Sequence, residues 1–239
     1  MKIGLLICDH VRPELVKGFG TYQSMFHELL NKAGKSISLE IDIVDYWVID
    51  NQFPDDANEC DLYVSTGSQF SVNDKFPWVI HLKQFIKELY QKQTPFLGIC
   101  FGHQLIAAAL DGEVAVSDKG WGVGVNQLRV ISNNPEFKQL NGSLALRVSH
   151  KEQIIKIPAN TRVLAANEFC EIFMMQTGCC FLGIQGHPEF SAGYTEELIR
   201  CREGIIPKEI AKLGIESLQK PVDNDLIMQI ALGFLQKCA

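Results

Sequence analysis

No apolar stretch in this chain comes near the roughly 18 residues a membrane-spanning helix needs; Ile3–Cys8 and Leu105–Leu110 are among the longest. Ile3–Cys8 is also too short for the hydrophobic centre of a signal peptide, and Asp9, His10 and Arg12 follow it instead of a small-residue cleavage site. Positive charge is not in excess. The 239 residues carry 22 Lys+Arg against 28 Asp+Glu, a formal net charge of -6, which argues against a sequence-independent grip on nucleic acid. The eight cysteines (8, 60, 100, 170, 179, 180, 201, 238) form no CxxC pair, and the six histidines (10, 27, 81, 103, 150, 187) have no zinc-ligand spacing. Neither a disulfide framework nor a metal site is expected, and most of the thiols should act as small core hydrophobes. No Walker A motif is present, and Gly18-Phe19-Gly20 lacks the third glycine of a dinucleotide fingerprint; it is expected to hinge a loop. Together these absences predict a soluble, cytoplasmic protein with a small substrate, no cofactor, and neither nucleic acid nor membrane as a partner.

What is present is an ordinary globular composition, 46% hydrophobic and 21% charged. Strand-like and helix-like stretches alternate from the start. Lys2–Cys8 is a short buried-strand run, and Tyr22, Met25, Phe26, Leu29, Leu30 and Ala33 recur at helical spacing, with Gly34 placed to end that helix. Leu39–Asp45 and Asp61–Ser65 read as strands. A second amphipathic helix begins at Pro77, Pro95–Ile99 is the next buried strand, and Gly102–Leu110 is helical. This β-α-β-β-α-β-α order predicts an α/β fold with an open, largely parallel sheet flanked by helices. Short strands then follow at Val123–Ile131, Leu144–Val148, Arg162–Ala166, Glu171–Gln176 and Phe181–Gln185. Helices return near Tyr194–Arg202 and at the C-terminus, behind the capping candidate Asp223. With no repeat, low-complexity tract or linker, residues 1–239 are expected to form one domain.

One cysteine stands apart. Gly98-Ile99-Cys100-Phe101-Gly102 lies directly after an apolar strand and before a helix. A nucleophile on such a sharp turn sits above the sheet edge, and small residues two positions either side let the chain fold that tightly. Cys100 would also face a helix N-terminus, whose free N–H groups and dipole favour thiolate. The same pentapeptide equally suits a buried Cys between two packing glycines. A thiolate nucleophile needs a base with an orienting group. In Gly186-His187-Pro188-Glu189, proline biases His187 to extended backbone, and side chains two apart then point the same way. Glu189 can therefore face His187; otherwise the segment is a polar turn at a strand end.

The chain resembles the class I (triad-type) glutamine amidotransferases, on GICFGHQ (Gly98–Gln104) and GHPE (Gly186–Glu189). Thr66-Gly67-Ser68 and Ser149-His150 fall where that family keeps its other site segments, and the likeness is nearest to free-standing relatives of the GMP synthetase glutaminase domain. The resemblance implies a flavodoxin-like fold and a γ-glutamyl thioester on Cys100, with His187 as base and Glu189 orienting it. It further implies an oxyanion hole from the N–H groups of Phe101 and Gly67, and substrate contacts from Gln104, Ser149 and His150. Those relatives carry Ser-His-Gly-Asp where this chain has Ser149-His150-Lys151-Glu152. Either Lys151 swings into solvent, or the pocket takes a larger γ-glutamyl compound with an extra carboxylate. Trp121, also at a family position, reads by default as a core or loop anchor.

Three functions remain open at this level. The first is release of ammonia from glutamine for a separate acceptor or synthetase subunit, since the pyrophosphate-binding loop of synthetase domains is missing. The second is a stand-alone γ-glutamyl peptidase or hydrolase. The third is a non-catalytic binding or regulatory protein on the same fold.

Overall fold

The computed structural model describes residues 1–132 and 134–239. Its elements in chain order are β1 (Lys2–Leu6), α1 (Pro13–Phe19), α2 (Tyr22–Ser36), β2 (Asp42–Tyr46), β3 (Leu62–Ser65), α3 (Pro77–Lys92), β4 (Phe96–Ile99) and α4 (Phe101–Ala109). There follow β5 (Glu113–Val116), β6 (Gly122–Val130), β7 (Ser143–His150), β8 (Glu152–Lys156), β9 (Thr161–Ala166), β10 (Met174–Thr177), β11 (Phe181–Ile184), α5 (Ala192–Arg200), α6 (Lys208–Ser217) and α7 (Asn224–Leu235).

Nine strands form one sheet in the order β2-β1-β3-β4-β11-β10-β9-β6-β7. The first five pair in parallel. The last four extend the sheet through antiparallel pairs. The expected α/β architecture, mostly parallel where the helices alternate with strands, is therefore observed. Strand alternation splits the core between the two faces. Ile3 and Leu5 of β1 join Phe26 and Leu30 of α2 and Ile227 and Ala231 of α7. Leu6 instead joins Trp78, Val79 and Leu82 of α3 and Leu105 and Ile106 of α4 on the opposite face. β4 and β11 are buried throughout, which is why both read as unbroken apolar runs.

Several local expectations need correction. Gly34 does not end α2, which runs on to Ser36. It is buried in the last turn, where a Cβ would stand 2.9 Å from the Leu39 carbonyl, and its own carbonyl accepts from Leu39 N–H at 2.9 Å. Close passage of the returning chain, rather than termination, is its reason. Asp223 precedes α7, but its side chain caps nothing there. It accepts from Ala145 N–H at 2.7 Å and so ties α7 to β7. Of Gly18-Phe19-Gly20, the first two close α1 and only Gly20, at φ +81, stands in the junction to α2; Phe19 packs edge-on against Tyr194. Helices α1 and α6 and the ribbon of β5 with β8 lie outside the elements expected from the sequence. The cysteines also divide differently: Cys8, Cys60, Cys100, Cys170 and Cys180 are buried, Cys201 and Cys238 are partly buried, and Cys179 is exposed on a turn.

Candidate active site

The site is assembled at the carboxyl ends of the central parallel strands, where β3, β4 and β11 each release their chain into a loop. Cys100 is the single residue between β4 and α4, and it holds φ +51 and ψ -94. A non-glycine residue at such dihedrals is strained and persists only where its surroundings fix it. Here its N–H donates to the Ile184 carbonyl at 2.8 Å, which pins the turn to the end of β11. A Cβ on Gly98 would run into the Gly102 carbonyl, and one on Gly102 would meet Ser65 Oγ. Both glycines are needed for α4 to fold back so closely over β4.

His187 follows β11 and is almost fully buried. Its N–H donates to the Arg147 carbonyl at 2.8 Å, and its Nδ1 lies 2.7 Å from Glu189 Oε1. On one side the imidazole stacks on Phe190 with centroids 4.0 Å apart and planes 4° from parallel. Behind Phe190 stand Tyr22 and Tyr194, which share a hydroxyl hydrogen bond at 3.1 Å. Gly67 and Cys100 also stand close to the ring. A Cβ built on Gly67 would be 2.8 Å from His187 Cε1 and 3.6 Å from Cys100 Cβ. Burial alone would lower the His187 pKa, but the adjacent Cys100 and Glu189 outweigh it and raise it to about 10. The ring is therefore held as an imidazolium between a sulfur and a carboxylate.

The Gly67 loop is braced from beneath. Thr66 Oγ1 donates to the Gly67 carbonyl at 2.9 Å and accepts from Cys8 N–H. Buried Asp9 accepts from Gln69 N–H at 2.7 Å and from Gln69 Nε2 at 3.1 Å. Phe101 opens α4, so its N–H has no acceptor within the helix. Phe101, next to Cys100 in the chain, and Gly67, on the loop after β3, are the two residues whose N–H groups the sequence assigned to an oxyanion.

A cavity of about 230 Å³ opens above Cys100, lined among others by Gln104, Ser149, His150, Lys151 and Glu152. Gln104 Nε2 donates to the Glu152 carbonyl at 2.9 Å and to Gln185 Oε1 at 3.2 Å. His150 is buried, with Nδ1 3.1 Å from the Glu152 carbonyl and its ring edge-on to Phe169. Burial pushes its pKa down to about 3, so it lines the pocket as a neutral ring. Glu152 takes the Ser71 hydroxyl on both carboxylate oxygens, at 2.8 and 3.0 Å. Lys151 is exposed on the rim.

All eight residues singled out in the sequence converge on this region. Four further ones were missed or underread. Gln185 is fully buried, and its Nε2 points at Cys100 Sγ from 3.4 Å. The two-residue spacing that relates His187 to Glu189 also relates Gln185 to His187, so this neighbour was legible. Phe190 follows the GHPE motif directly. Trp121 and Arg202 both line the cavity, with the guanidinium carbon 5.3 Å from the centroid of the Trp121 ring. Trp121 is thus more than a loop anchor. Nothing local marked Arg202, which lies 102 positions from Cys100 in sequence.

Comparison with known proteins places this geometry in context. The family model for glutamine amidotransferase class-I matches residues 21–201. γ-Glutamyl peptidase 3 of Arabidopsis thaliana is 29% identical over 204 residues, 82% of this chain and 78% of that protein. A glutamine-hydrolysing GMP synthase subunit from Sulfolobus acidocaldarius is 29% identical over 153 residues, 64% of this chain and 78% of that protein. The crystal structure of a glutamine amidotransferase from Thermotoga maritima superposes with a TM-score of 0.72 at 21% identity, covering 98% of this chain and 96% of its own.

Proposed function

The chain belongs to the glutamine amidotransferase class-I family, and we propose that it hydrolyses γ-glutamyl amides, glutamine among them, through a γ-glutamyl thioester on Cys100. The observation that carries this reading is the meeting of strained Cys100 with His187 across Gly67, at a cavity floor. Cys100 Sγ attacks the γ-carbonyl, and the developing oxyanion is received by the N–H groups of Gly67 and Phe101. As the C–N bond breaks, His187 gives its proton to the departing nitrogen. A water then enters, His187 takes its proton, and the thioester is cleaved to glutamate with Cys100 restored. Glu189 holds the imidazole at Nδ1 throughout, while Phe190 fixes its plane. Gln104, Ser149 and His150 hold the amino-acid end of the substrate. Residues 1–239 act as one glutaminase-type domain.

A non-catalytic role on this fold would give no reason to keep a cysteine at φ +51. Two readings of the leaving group remain. With glutamine it is ammonia, which a synthetase subunit would consume, as the name of the Sulfolobus relative suggests. With a γ-glutamyl compound it is a larger amine, and the chain acts alone. The decisive experiment supplies purified protein with glutamine and with γ-glutamyl dipeptides, recording ammonia, released amino acid and glutamate. Turnover should be lost in Cys100→Ala, and a γ-glutamyl electrophile should label Cys100. Wild-type turnover in that variant would overturn the thioester reading.

A further inference from the structure

We propose that Arg147 is a positioning residue: its guanidinium staples the turn His187–Phe190, and through that turn it sets the pose of His187 and Glu189. This role deepens the γ-glutamyl reading above, on which its kinetic effect rests.

The segment from His187 to Phe190 closes on itself, since Phe190 N–H donates to the His187 carbonyl at 3.3 Å. Arg147 of β7 spans this turn from end to end. Its carbonyl accepts from His187 N–H at 2.8 Å, and its Nη1 donates to the Phe190 carbonyl at 2.9 Å. Among the described residues no backbone N–H reaches the Phe190 carbonyl. The second donor to it is Asn224 Nδ2, from the first residue of α7, at 3.3 Å. A charged donor holds an acceptor roughly twice as firmly as a neutral one, and the Arg147 bond is also the shorter.

Strand alternation puts the guanidinium there. Leu146 and Val148 are buried in the core, so the side chain between them points to the other face of β7. Gly186 lets that strand pass close beside the turn, because a Cβ there would stand 2.8 Å from Leu146 Cβ. Nothing else occupies the group. Burial lowers its pKa with no acid to offset the shift, Nε has no partner, and the Phe190 carbonyl is its one acceptor among the described residues.

The pair of His187 and Glu189 depends on this turn because the carboxylate does not orient itself. The Glu189 side chain is wholly buried, meets His187 Nδ1 through Oε1, and has no partner at Oε2. With a single tether, its aim is set by the backbone that carries it. The same backbone sets the Phe190 ring, which lies parallel to the imidazole. Arg147 is not among the residues lining the cavity above Cys100. It lines a separate cavity of about 570 Å³, together with Glu189, Phe190 and residues of α2 and α7. Arg147 therefore acts through His187 and Glu189 and does not touch the substrate.

Substitution leaves the Arg147 carbonyl in place, so variants isolate the guanidinium. Arg147→Met keeps an apolar stem without a donor, and Arg147→Lys keeps a cationic donor. With a γ-glutamyl anilide, Arg147→Met should lower kcat about 10- to 100-fold, the scale of misplacing reacting groups by up to about 1 Å. KM should stay within about twofold, because ground-state contacts are untouched. Arg147→Lys should recover part of kcat. The space vacated in Arg147→Ala adjoins the larger cavity, so added methylguanidinium should recover part of kcat there and leave the wild type unchanged. That comparison also serves if Arg147→Met does not fold by circular dichroism.

Iodoacetamide labelling of Cys100, followed at its own peptide by mass spectrometry, reads the Cys100–His187 pair without turnover. It should slow in Arg147→Met and recover in Arg147→Lys. Wild-type kcat in folded Arg147→Met would overturn the proposal. So would a rise in KM alone, or equal losses in the Met and Lys variants with no recovery by methylguanidinium. Labelling that slows in Arg147→Met and recovers in Arg147→Lys, in a protein that hydrolyses no γ-glutamyl compound, would refute the hydrolase reading while upholding this one. Hydrolysis by the wild type, with kcat and labelling unchanged in Arg147→Met, would refute this one alone.

Discussion

Gly67→Ala tests the geometry at its tightest point. The added methyl would stand 2.8 Å from His187 Cε1, where ordinary contact begins at 3.4 Å, so something must yield by about 0.6 Å. The imidazole has little freedom to move, because Phe190 stacks on it at 4.0 Å and Glu189 holds Nδ1 at 2.7 Å. The loop has little freedom either, since Thr66 Oγ1 grips the Gly67 carbonyl and Asp9 grips Gln69. The displacement must fall on the approach of His187 to Cys100 or on the aim of the Gly67 N–H. An oxyanion donor removed from such a site costs about 10²–10³ in kcat, and misplacing reacting groups by about 1 Å costs about 10². We expect kcat/KM for γ-glutamyl amides to fall about 100-fold or more. Overpacking itself should cost about 1–3 kcal/mol of stability, leaving the protein folded by circular dichroism. A chromogenic γ-glutamyl anilide reads turnover, and the thermal unfolding midpoint reads the fold. Wild-type turnover in a folded Gly67→Ala protein would refute both the oxyanion role of Gly67 and the tight approach of His187.

Two further outcomes follow from the same surroundings. Because Cys100 and Glu189 raise the His187 pKa from 6.5 to about 10, the folded state holds that proton more tightly than the unfolded chain does. The stability it contributes is complete below about pH 6.5 and is lost as pH rises toward about 10. Denaturant titrations across that window should show wild-type stability declining more steeply than that of His187→Asn; parallel curves would contradict the ion pair. Gln185→Leu removes the amide aimed at Cys100 Sγ and leaves Gln104 Nε2 without one acceptor. It should lower kcat/KM about tenfold, slow alkylation of Cys100 at fixed pH, and destabilise by about 1–3 kcal/mol. Unchanged alkylation would show that Gln185 only packs.

The most legible parts of the sequence were those where one physical rule acts over a short span. Phe96–Ile99 and Phe181–Ile184 are buried on both faces, so their strands read as continuous apolar runs. Helix α3 declared itself through Pro77 and a stripe of Trp78, Val79, Leu82, Phe85, Ile86 and Leu89, all buried. Cys100 was marked by its two glycines, and His187 with Glu189 by a two-residue alternation. Where a residue answered to a distant partner, local rules misled. Gly34 looked like a helix stop but accommodates the chain returning at Leu39, and Asp223 looked like a cap but bonds Ala145.

The sequence by itself therefore determined the fold class through its periodicity, and through its two motifs the family and the candidate pair of Cys100 and His187, because these are properties of neighbouring residues. Only the tertiary structure decided what surrounds that pair. The sheet order brings β4 beside β11, so Ile184 fixes the Cys100 turn and Gln185 reaches the sulfur. The packing of α5 carries Arg202 over Trp121, far along the chain from either motif. Charge balance in a pocket depends on which distant side chains share it, and chain order does not contain that.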